Sequence, residues 1–189
     1  GATLRGYIGA GTSSFGGALN DLSDVKTFGT SSLMIGSTST GTIDAANYNT
    51  SVGIGNFAAL TTGDYNTVVG YGSLVALTTG NYNMVVGRNA GAAITTADHN
   101  NVMGLNALST CTTGHSNVAI GGNAASALTE GYTNVGIGVG AMQGGAQTGY
   151  DNIGIGRSAL AVVTSGTQNT LIGGYAGDAL TTGANNTGI

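Results

Sequence analysis

Residues 66–70 read Asn66-Thr67-Val68-Val69-Gly70, and the same pattern returns at residues 83–87, beginning with Asn83. Asparagine recurs at this constant interval through most of the 189-residue chain, with one interval longer by a single residue near Gly144-Gly145. The copies start at Asn49, Asn66, Asn83, Asn100, Asn117, Asn134, Asn152, Asn169 and Asn186. A constant interval indicates a stack of equivalent structural units along the chain.

Each copy, numbered from its Asn as position 0, places apolar residues and glycine at the same offsets. Position +4 is Gly in every copy that reaches it, and position +3 is always apolar, as at Val52. Position +7 is nearly always small, and position +11 carries Leu, Ile, Val or Cys except in the longer copy, where the offsets shift. A less regular copy starts at Ser32, with Ile35-Gly36 and Ile43 at the expected offsets. We therefore assign residues 32–189 to one repeat array.

The composition and length of the repeat favour strands over helices. Gly occupies 36 of the 189 positions, and each Gly in a helix interior costs about 1 kcal/mol relative to Ala. A repeat made of two helices needs about 33 residues or more. The residues around position +3 are β-branched or small, as strands prefer, and Gly or Asn at position +6 supplies the positive φ of a corner.

We therefore predict an all-β fold, a β-solenoid (a parallel β-roll or β-helix) built from 17-residue coils. Each coil is expected to contain a first strand, a turn, a short second strand and another turn. Successive coils are expected to pair in register, about 4.8 Å apart.

The first strand of each coil predicts an assembly of several chains. We expect position +3 to face the interior of the coil, so that position +2 faces outward. Position +2 carries no charge in any copy and is aliphatic in half of them, as at Val68 and Val85. Because strands that are apolar on both faces are usually covered on both, we predict a homo-oligomer in which the +2 faces of neighbouring chains pack together.

Charge and composition argue against several classes of function. The formal net charge is −4, from 4 basic and 8 acidic residues. The basic residues form no stripe, which argues against nucleic-acid binding. No run of 18 apolar residues is present, so we predict no membrane insertion by this segment. The single cysteine excludes an internal disulfide framework.

The stretch Ser116-Asn117-Val118-Ala119-Ile120-Gly121-Gly122-Asn123-Ala124 resembles the head repeat of YadA-type trimeric autotransporter adhesins, Asn-Ser-Val-Ala-Ile-Gly-x-x-Ala. Copies with Asn-Thr openings and Thr-Thr-Gly closings also resemble the head-like repeats of phage tail fibres. The resemblance recurs in each copy and covers about four-fifths of the chain. It implies a left-handed parallel β-roll, intertwined or packed as a homotrimer, that binds a receptor or matrix protein on a long fibre.

Residues 1–31 lie outside the regular array, and we predict that they form an irregular cap or adapter. Arg5-Gly6-Tyr7-Ile8-Gly9 reads as a decayed coil, and residues 20–26 read as a helical turn or an irregular loop. The exposed end of a solenoid needs such a cover. The sequence ends within a repeat, at Asn186-Thr187-Gly188-Ile189, from which we expect the chain to belong to a longer fibre.

One corner of the predicted coil carries a column of aromatic residues, the candidate ligand-binding site. Consecutive copies place Tyr48, Tyr65, Tyr82 and His99 just before the repeat Asn, beside Asn or Asp, with Tyr132 and Tyr150 near the same corner. Rings at a spacing of about 4.8 Å would line one edge of the rod. Two hypotheses stay open: a platform for the sugar rings of a surface glycan, or rings that stack on one another and hold the corner in place.

Other repeated positions have mainly structural interpretations. We predict that the Asn column from Asn49 to Asn169 forms a ladder of amides bonded from coil to coil. Thr pairs at positions +12 and +13 form a second column that could bind ice, although Thr is also ordinary in turns. Cys111 falls at interior position +11, where we expect a buried, inert thiol. His99 and His115 lack the Cys or acidic partners of a metal site.

These observations predict an extracellular attachment fibre rather than an enzyme. The glycines of Gly136-Ile137-Gly138-Val139-Gly140 follow the repeat instead of opening a βαβ unit, and we predict no catalytic residue, cofactor or metal. We expect a trimeric segment of a cell-surface or virion tail fibre, a rigid spacer and multivalent binding surface for glycan, matrix or receptor protein. The alternatives are a structural filament without a ligand and an ice-binding β-solenoid.

Overall fold

The computed structural model describes residues 25–36, 45–145 and 147–189. These residues form one sheet of eleven strands whose spatial order follows the chain. The strands are β1 Val25–Phe28, β2 Ser32–Ile35, β3 Thr50–Val52, β4 Thr67–Val69, β5 Met84–Val86, β6 Asn101–Met103, β7 Val118–Ile120, β8 Val135–Ile137, β9 Ile153–Ile155, β10 Thr170–Ile172 and β11 Thr187–Gly188. Within the described ranges there is no helix, and hence none that could cross a membrane.

Each strand from β3 onward lies beside the equivalent strand of the next coil. Thr50 lies beside Thr67 and Thr67 beside Met84, both in parallel register. In the longer coil, Val135 lies beside Ile153, so the sheet continues unshifted across the extra residue. The prediction of an all-β solenoid whose coils repeat at the interval of the Asn column is therefore confirmed, with about nine turns.

The start of the described chain is a hairpin. β1 pairs antiparallel with β2, with Val25 beside Ile35, and β2 then pairs parallel with β3. Val25 and Lys26, which we expected at the end of a helical turn or irregular loop, belong to a strand. The remainder of that segment, the decayed coil at residues 5–9, and Ile43 lie outside the described residues.

The prediction of a second strand in each coil is wrong for the described residues. Each coil has one strand, of three residues in β3–β10, and the segment around position +11 forms only one isolated bridge, between Leu128 and Gln147. Backbone bonds still join this segment from coil to coil, as from Thr61 N–H to Thr78 O at 3.0 Å. The turns around position +11 leave too few consecutive extended residues to pair as a strand.

The strand faces are also reversed relative to the prediction. Val68 at position +2 is fully buried in the coil, whereas Val69 at position +3 is 40% exposed and Ile120 is 38% exposed. The reason lies in the repeat Asn, which is buried and therefore fixes the alternation. With position 0 inside the coil, position +2 also faces inward, and positions +1 and +3 face outward.

The outward aliphatic residues form a continuous strip, which we call the apolar wall. It consists of Val52, Val69, Val86, Met103, Ile120, Ile137, Ile155 and Ile172 at position +3, with Met84, Val118, Val135 and Ile153 at position +1. Eight strands at about 4.8 Å give it a length of about 34 Å. All its members are exposed or half-buried in the single chain.

Gly121 shows why position +4 admits only glycine. Its φ is +131°, and a Cβ placed on it would lie 2.5 Å from the carbonyl oxygen of Gly138 in the next coil. The equivalent glycines have similar left-handed φ values and similarly close carbonyls, as at Gly70 and Gly104. The corner after each strand can therefore stack on its neighbour only without a side chain.

We expect Gly121→Ala to lower the free energy of unfolding by about 2 kcal/mol or more, because it adds backbone strain to a clash with a backbone oxygen. Gly122→Ala is the matched control, since no atom lies within 4 Å of its added Cβ, and it should change stability by less than about 0.5 kcal/mol. Denaturant unfolding of both variants measures the difference. Equal losses would contradict the steric explanation.

Candidate functional site

The corner that precedes each strand carries three columns of side chains, at positions −2, −1 and 0. Position 0 is the buried Asn, position −1 is the residue just before it, and position −2 is the next one upstream. The residue at position −1 has a left-handed φ in every coil, including Tyr65 at +59° and His99 at +60°. This conformation turns the chain sharply and directs the −1 side chain outward, where all of its members are exposed.

The Asn column forms a continuous buried ladder. The Oδ1 atom of Asn49 accepts from the backbone N–H of Asn66 at 2.9 Å and from its Nδ2 at 3.1 Å. The same Nδ2 donates to the carbonyl oxygen of Gly80 at 2.9 Å, which closes the coil on itself. This pattern repeats to Asn186. Each amide thus joins two coils and satisfies the polar atoms that burial would otherwise leave unpaired.

The residues Tyr48, Tyr65, Tyr82 and His99 form what we call the first aromatic ladder. Their ring centroids are separated by 4.7, 4.9 and 4.9 Å, with interplanar angles of 9°, 3° and 17°. The pKa of Tyr65 is raised, first by desolvation and then by Tyr48, Tyr82 and Asp64, so the phenol stays neutral at physiological pH. Inside the ladder each ring face covers the next, which leaves ring edges and hydroxyl groups for solvent.

Position −2 carries a parallel series in the same coils, which we call the Asx ladder: Asn47, Asp64, Asn81 and Asp98. The backbone N–H of each of the first three donates to the side-chain oxygen of the next, at 2.6 Å from Asn47 to Asp64 and 2.8 Å from Asp64 to Asn81. Asn81 donates to Asp98 from its N–H at 2.6 Å and from its Nδ2 at 3.2 Å. The acidic groups therefore accept bonds along the corner instead of forming ion pairs.

The aromatic column changes position after His99. The next rings, His115, Tyr132 and Tyr150, stand at position −2 and form a second aromatic ladder, with centroid distances of 5.1 and 4.9 Å. Position −1 now holds Ser116, Thr133 and Asp151. A cavity of about 290 Å³ opens where the ladders meet, and it is lined by Thr96, Ala97, Asp98, His99, Thr113 and His115. We call this cavity the notch.

The threonine column at position +12 is bonded from coil to coil. The hydroxyl of Thr61 donates to the Thr78 carbonyl oxygen at 3.0 Å, and that of Thr78 donates to Thr95 at 3.1 Å. Similar bonds continue along the rod. These hydroxyl protons hold adjacent coils together, whereas an ice-binding face would direct them to water.

Cys111 lies in the interior column, as the sequence predicts, and is buried. Burial raises the pKa of its thiol to about 12, and the Sγ–H group donates to Gly114 O at 3.3 Å. The thiolate needed for reaction is therefore not populated at neutral pH. Among the described residues, no group of three or more His, Cys, Asp or Glu side chains has the arrangement of a metal site.

Comparison of the chain with protein-family models, with curated proteins and with solved structures finds no match. The geometry of the corner and the wall is therefore the basis for the functional proposal.

Gln147 is a buried residue that the repeat pattern did not predict. It pairs with Leu128 of the previous coil and is buried where other coils place Leu, Ile, Val or Cys. Its Nε2 donates to the carbonyls of Met142 at 2.6 Å and Gly144 at 3.0 Å, while its Oε1 has no partner within the described part of the chain. The signal was the one longer interval in the Asn column, which shifts the offsets in this coil.

We expect Asn100→Thr to lower the free energy of unfolding by about 3 kcal/mol or more, because Thr cannot bridge to both neighbouring coils and leaves buried polar groups unpaired. Asn100 accepts from Asn117 at 3.0 and 3.2 Å and donates to Asn83 and Gly114 at 3.1 and 3.0 Å.

Asn101→Thr is the control for this variant, because Asn101 is exposed on the adjacent position, where other coils carry Thr. Its stability should change by less than about 0.5 kcal/mol. Thermal and denaturant unfolding of the two variants would reveal the difference. A tolerated Asn100→Thr substitution would show that the coils do not depend on the ladder.

Proposed function

We propose that this chain is a segment of a trimeric extracellular or virion attachment fibre, acting as a rigid spacer and a multivalent binding surface. The observation that carries the proposal is the apolar wall on strands β3–β10, which all pair in parallel. Parallel sheets are almost always covered on both faces, and the coil interior covers only one face of this one. The other face presents side chains such as Met103, which is 52% exposed.

A second and third copy of the same chain fit the wall better than an unrelated partner does. The wall repeats the same side-chain positions once per coil, and a copy aligned along the rod presents its own repeats at the same spacing. No Asp, Glu, Lys or Arg interrupts positions +1 and +3 of β3–β10, so the faces can meet without burying an unpaired charge. The resemblance to trimeric adhesin heads favours three chains around one seam.

Covering the wall also supports the stability of the coils. Each coil is short and buries only a few apolar side chains in its interior, such as Val68, Leu74 and Leu77. One or two further apolar residues per coil, at position +3 and in four coils also at position +1, would be removed from water in the assembly, each worth about 1.5–3 kcal/mol when fully buried. The gain repeats along the rod, which favours a straight, stiff fibre.

The corner columns supply the binding surface in this proposal. Tyr48, Tyr65 and Tyr82 are between 45% and 51% exposed, and their edges lie beside the polar groups of the Asx ladder. Three chains would display three such edges along the fibre. Many weak contacts of this kind combine into useful adhesion because the effective concentration of each further site is high.

A structural filament without a ligand is the second candidate, and the stacking within the aromatic ladders favours it. Stacked rings whose centroids are 4.7–4.9 Å apart stabilise the corner by about 0.5–1.5 kcal/mol per pair. This gain offsets the left-handed φ that each −1 residue adopts. Ladders of this kind can be retained for stability alone, so adhesion needs a direct test.

The purified segment is expected to have three times the 18.3 kDa mass of the chain. Ile120→Glu should convert it to single chains, because a charge in the seam cannot be buried unpaired. Thr79→Glu is the control, since it adds the same charge at an exposed position where Glu130 stands in another coil. Native mass spectrometry and light scattering measure the masses. A monomeric parent chain would contradict the assembly.

Adhesion is expected to depend on the same assembly. Immobilised glycans, matrix proteins or host cells should retain the parent segment and the Thr79→Glu control, with an apparent affinity about 10²–10⁴-fold above that of Ile120→Glu. The reason is multivalency, because the corner itself is unchanged in all three proteins. A trimer that binds none of these surfaces would support the structural filament instead.

A further inference from the structure

The notch is the place within the described array where the ends of two aromatic ladders meet. Each ring inside a ladder has both faces covered, but the last ring of the first ladder is His99 and the first ring of the second is His115. The next −1 residue after His99 is Ser116, and the −2 residue before His115 is Asp98. One face of each imidazole is therefore free of stacking, and both rings line the same cavity.

Polar groups without protein partners accompany the two rings. The N–H groups of Thr30, Asn47, Asp64 and Asn81 donate to the next Asx side chain. In the next coil, position −2 is His115 instead of Asn or Asp. The backbone N–H of Asp98 therefore lacks this acceptor, and it donates to no other described residue. The hydroxyls of Thr96 and Thr113 likewise make no hydrogen bond to the described protein. The Oδ1 atom of Asp98 is an acceptor already bonded to Asn81, and its carboxylate can accept further bonds.

We propose that the notch binds a single neutral sugar ring of a glycan. Its volume of about 290 Å³ is at the small end of ligand pockets, which run to about 300–1,000 Å³. The apolar C–H face of a pyranose packs on an aromatic ring, while its hydroxyls need both donors and acceptors. The notch supplies the Asp98 N–H as a donor, the Asp98 carboxylate as an acceptor, and two threonine hydroxyls that can be either.

The charge of the site selects neutral sugars over acidic ones. Asp98 is the only acidic residue in the lining, no Lys or Arg lies beside it, and the chain as a whole has a formal net charge of −4. A carboxylated or sulfated sugar would have to approach this carboxylate without a fixed cation to compensate. A hydroxyl group, in contrast, can donate to Asp98 in a charge-assisted hydrogen bond.

This inference rests on the proposed function, since it names the ligand class of the attachment surface. One site per chain would give three sites per fibre segment at one height, and multivalency would strengthen the weak binding of each. Binding of a free sugar at the notch, however, does not require adhesion or assembly. The two proposals can therefore fail separately.

The experiment uses the histidines as reporters, because the chain contains only 2 of them and both line the notch. The histidine Cε1–Hε1 NMR signals of the assembled protein are followed while methyl glycosides are added at constant pH. The panel contains neutral hexoses, N-acetylhexosamines and, for contrast, a sialic acid glycoside. At least one neutral glycoside should shift both signals saturably, with a dissociation constant of about 1 mM, as expected for so small a ligand.

His115→Asn should weaken this binding at least about tenfold, because it removes one ring and gives the Asp98 N–H an acceptor. The substitution restores a residue that the Asx ladder already uses at Asn47 and Asn81, so the fold should be kept. His99→Tyr is the matched control: it retains an aromatic face at a position that is Tyr in three other coils, and binding should remain within about threefold. In each variant the remaining histidine reports.

Three results would overturn the inference: no saturable shift with any neutral glycoside, binding of the sialic acid glycoside alone, or unchanged affinity in a folded His115→Asn variant. If one of these results is obtained with a trimer that still adheres to glycan-coated surfaces, the proposed attachment function stands. In that case only the location of the sugar site or the class of sugar is wrong. Sugar binding at the notch by a protein that is monomeric would leave this inference intact and contradict the fibre assembly.

Discussion

The buried asparagine ladder is the constraint on which the rest of the structure depends. A carboxamide inside the coil must find a donor and an acceptor there, and the nearest ones belong to the coils above and below. The coil that contains Gly144 and Gly145 shows how strong this requirement is. It carries an extra residue, yet Asn152 still donates to Asn134 at 3.1 Å, and the change is absorbed on the other side of the coil. Stacking in register therefore takes priority over the conformation of each turn.

The same asparagine determines which strand face is inside. Because position 0 faces the interior, the aliphatic residues at position +2 fill the core and those at position +3 form the apolar wall. The core accommodates variation at position +2, since Met142 occupies the space beside Gly136 and Gly154. The wall has no such filler among the described residues, and its aliphatic side chains remain exposed or half-buried in the single chain.

The corner shows how one scaffold carries different surfaces. Its backbone is the same in every coil, with a left-handed residue at position −1, but the aromatic rings occupy position −1 in four coils and position −2 in three. Rings at position −1 stack on rings at position −1, and rings at position −2 stack on rings at position −2. The notch lies where the aromatic position changes from −1 to −2. Regular stacking covers ring faces and pairs backbone donors, so ring faces and donors are left uncovered where the regularity is interrupted.

The sequence alone determined the repeat length, the parallel solenoid, the glycine corner at position +4, the Gly or Asn corner at position +6 and the apolar interior at position +11, because each follows from similar chemistry at identical offsets. It did not determine which face of the strand is inside, since an alternating pattern that is apolar on both faces reads equally well either way. Only hydrogen bonds between coils decide that. They also impose left-handed backbone on residues that disfavour it, such as Leu74 and Leu108, and they place Gln147 in the core. These features depend on contacts between residues in adjacent coils, a full repeat apart in the chain, and local sequence preferences contain no information about them.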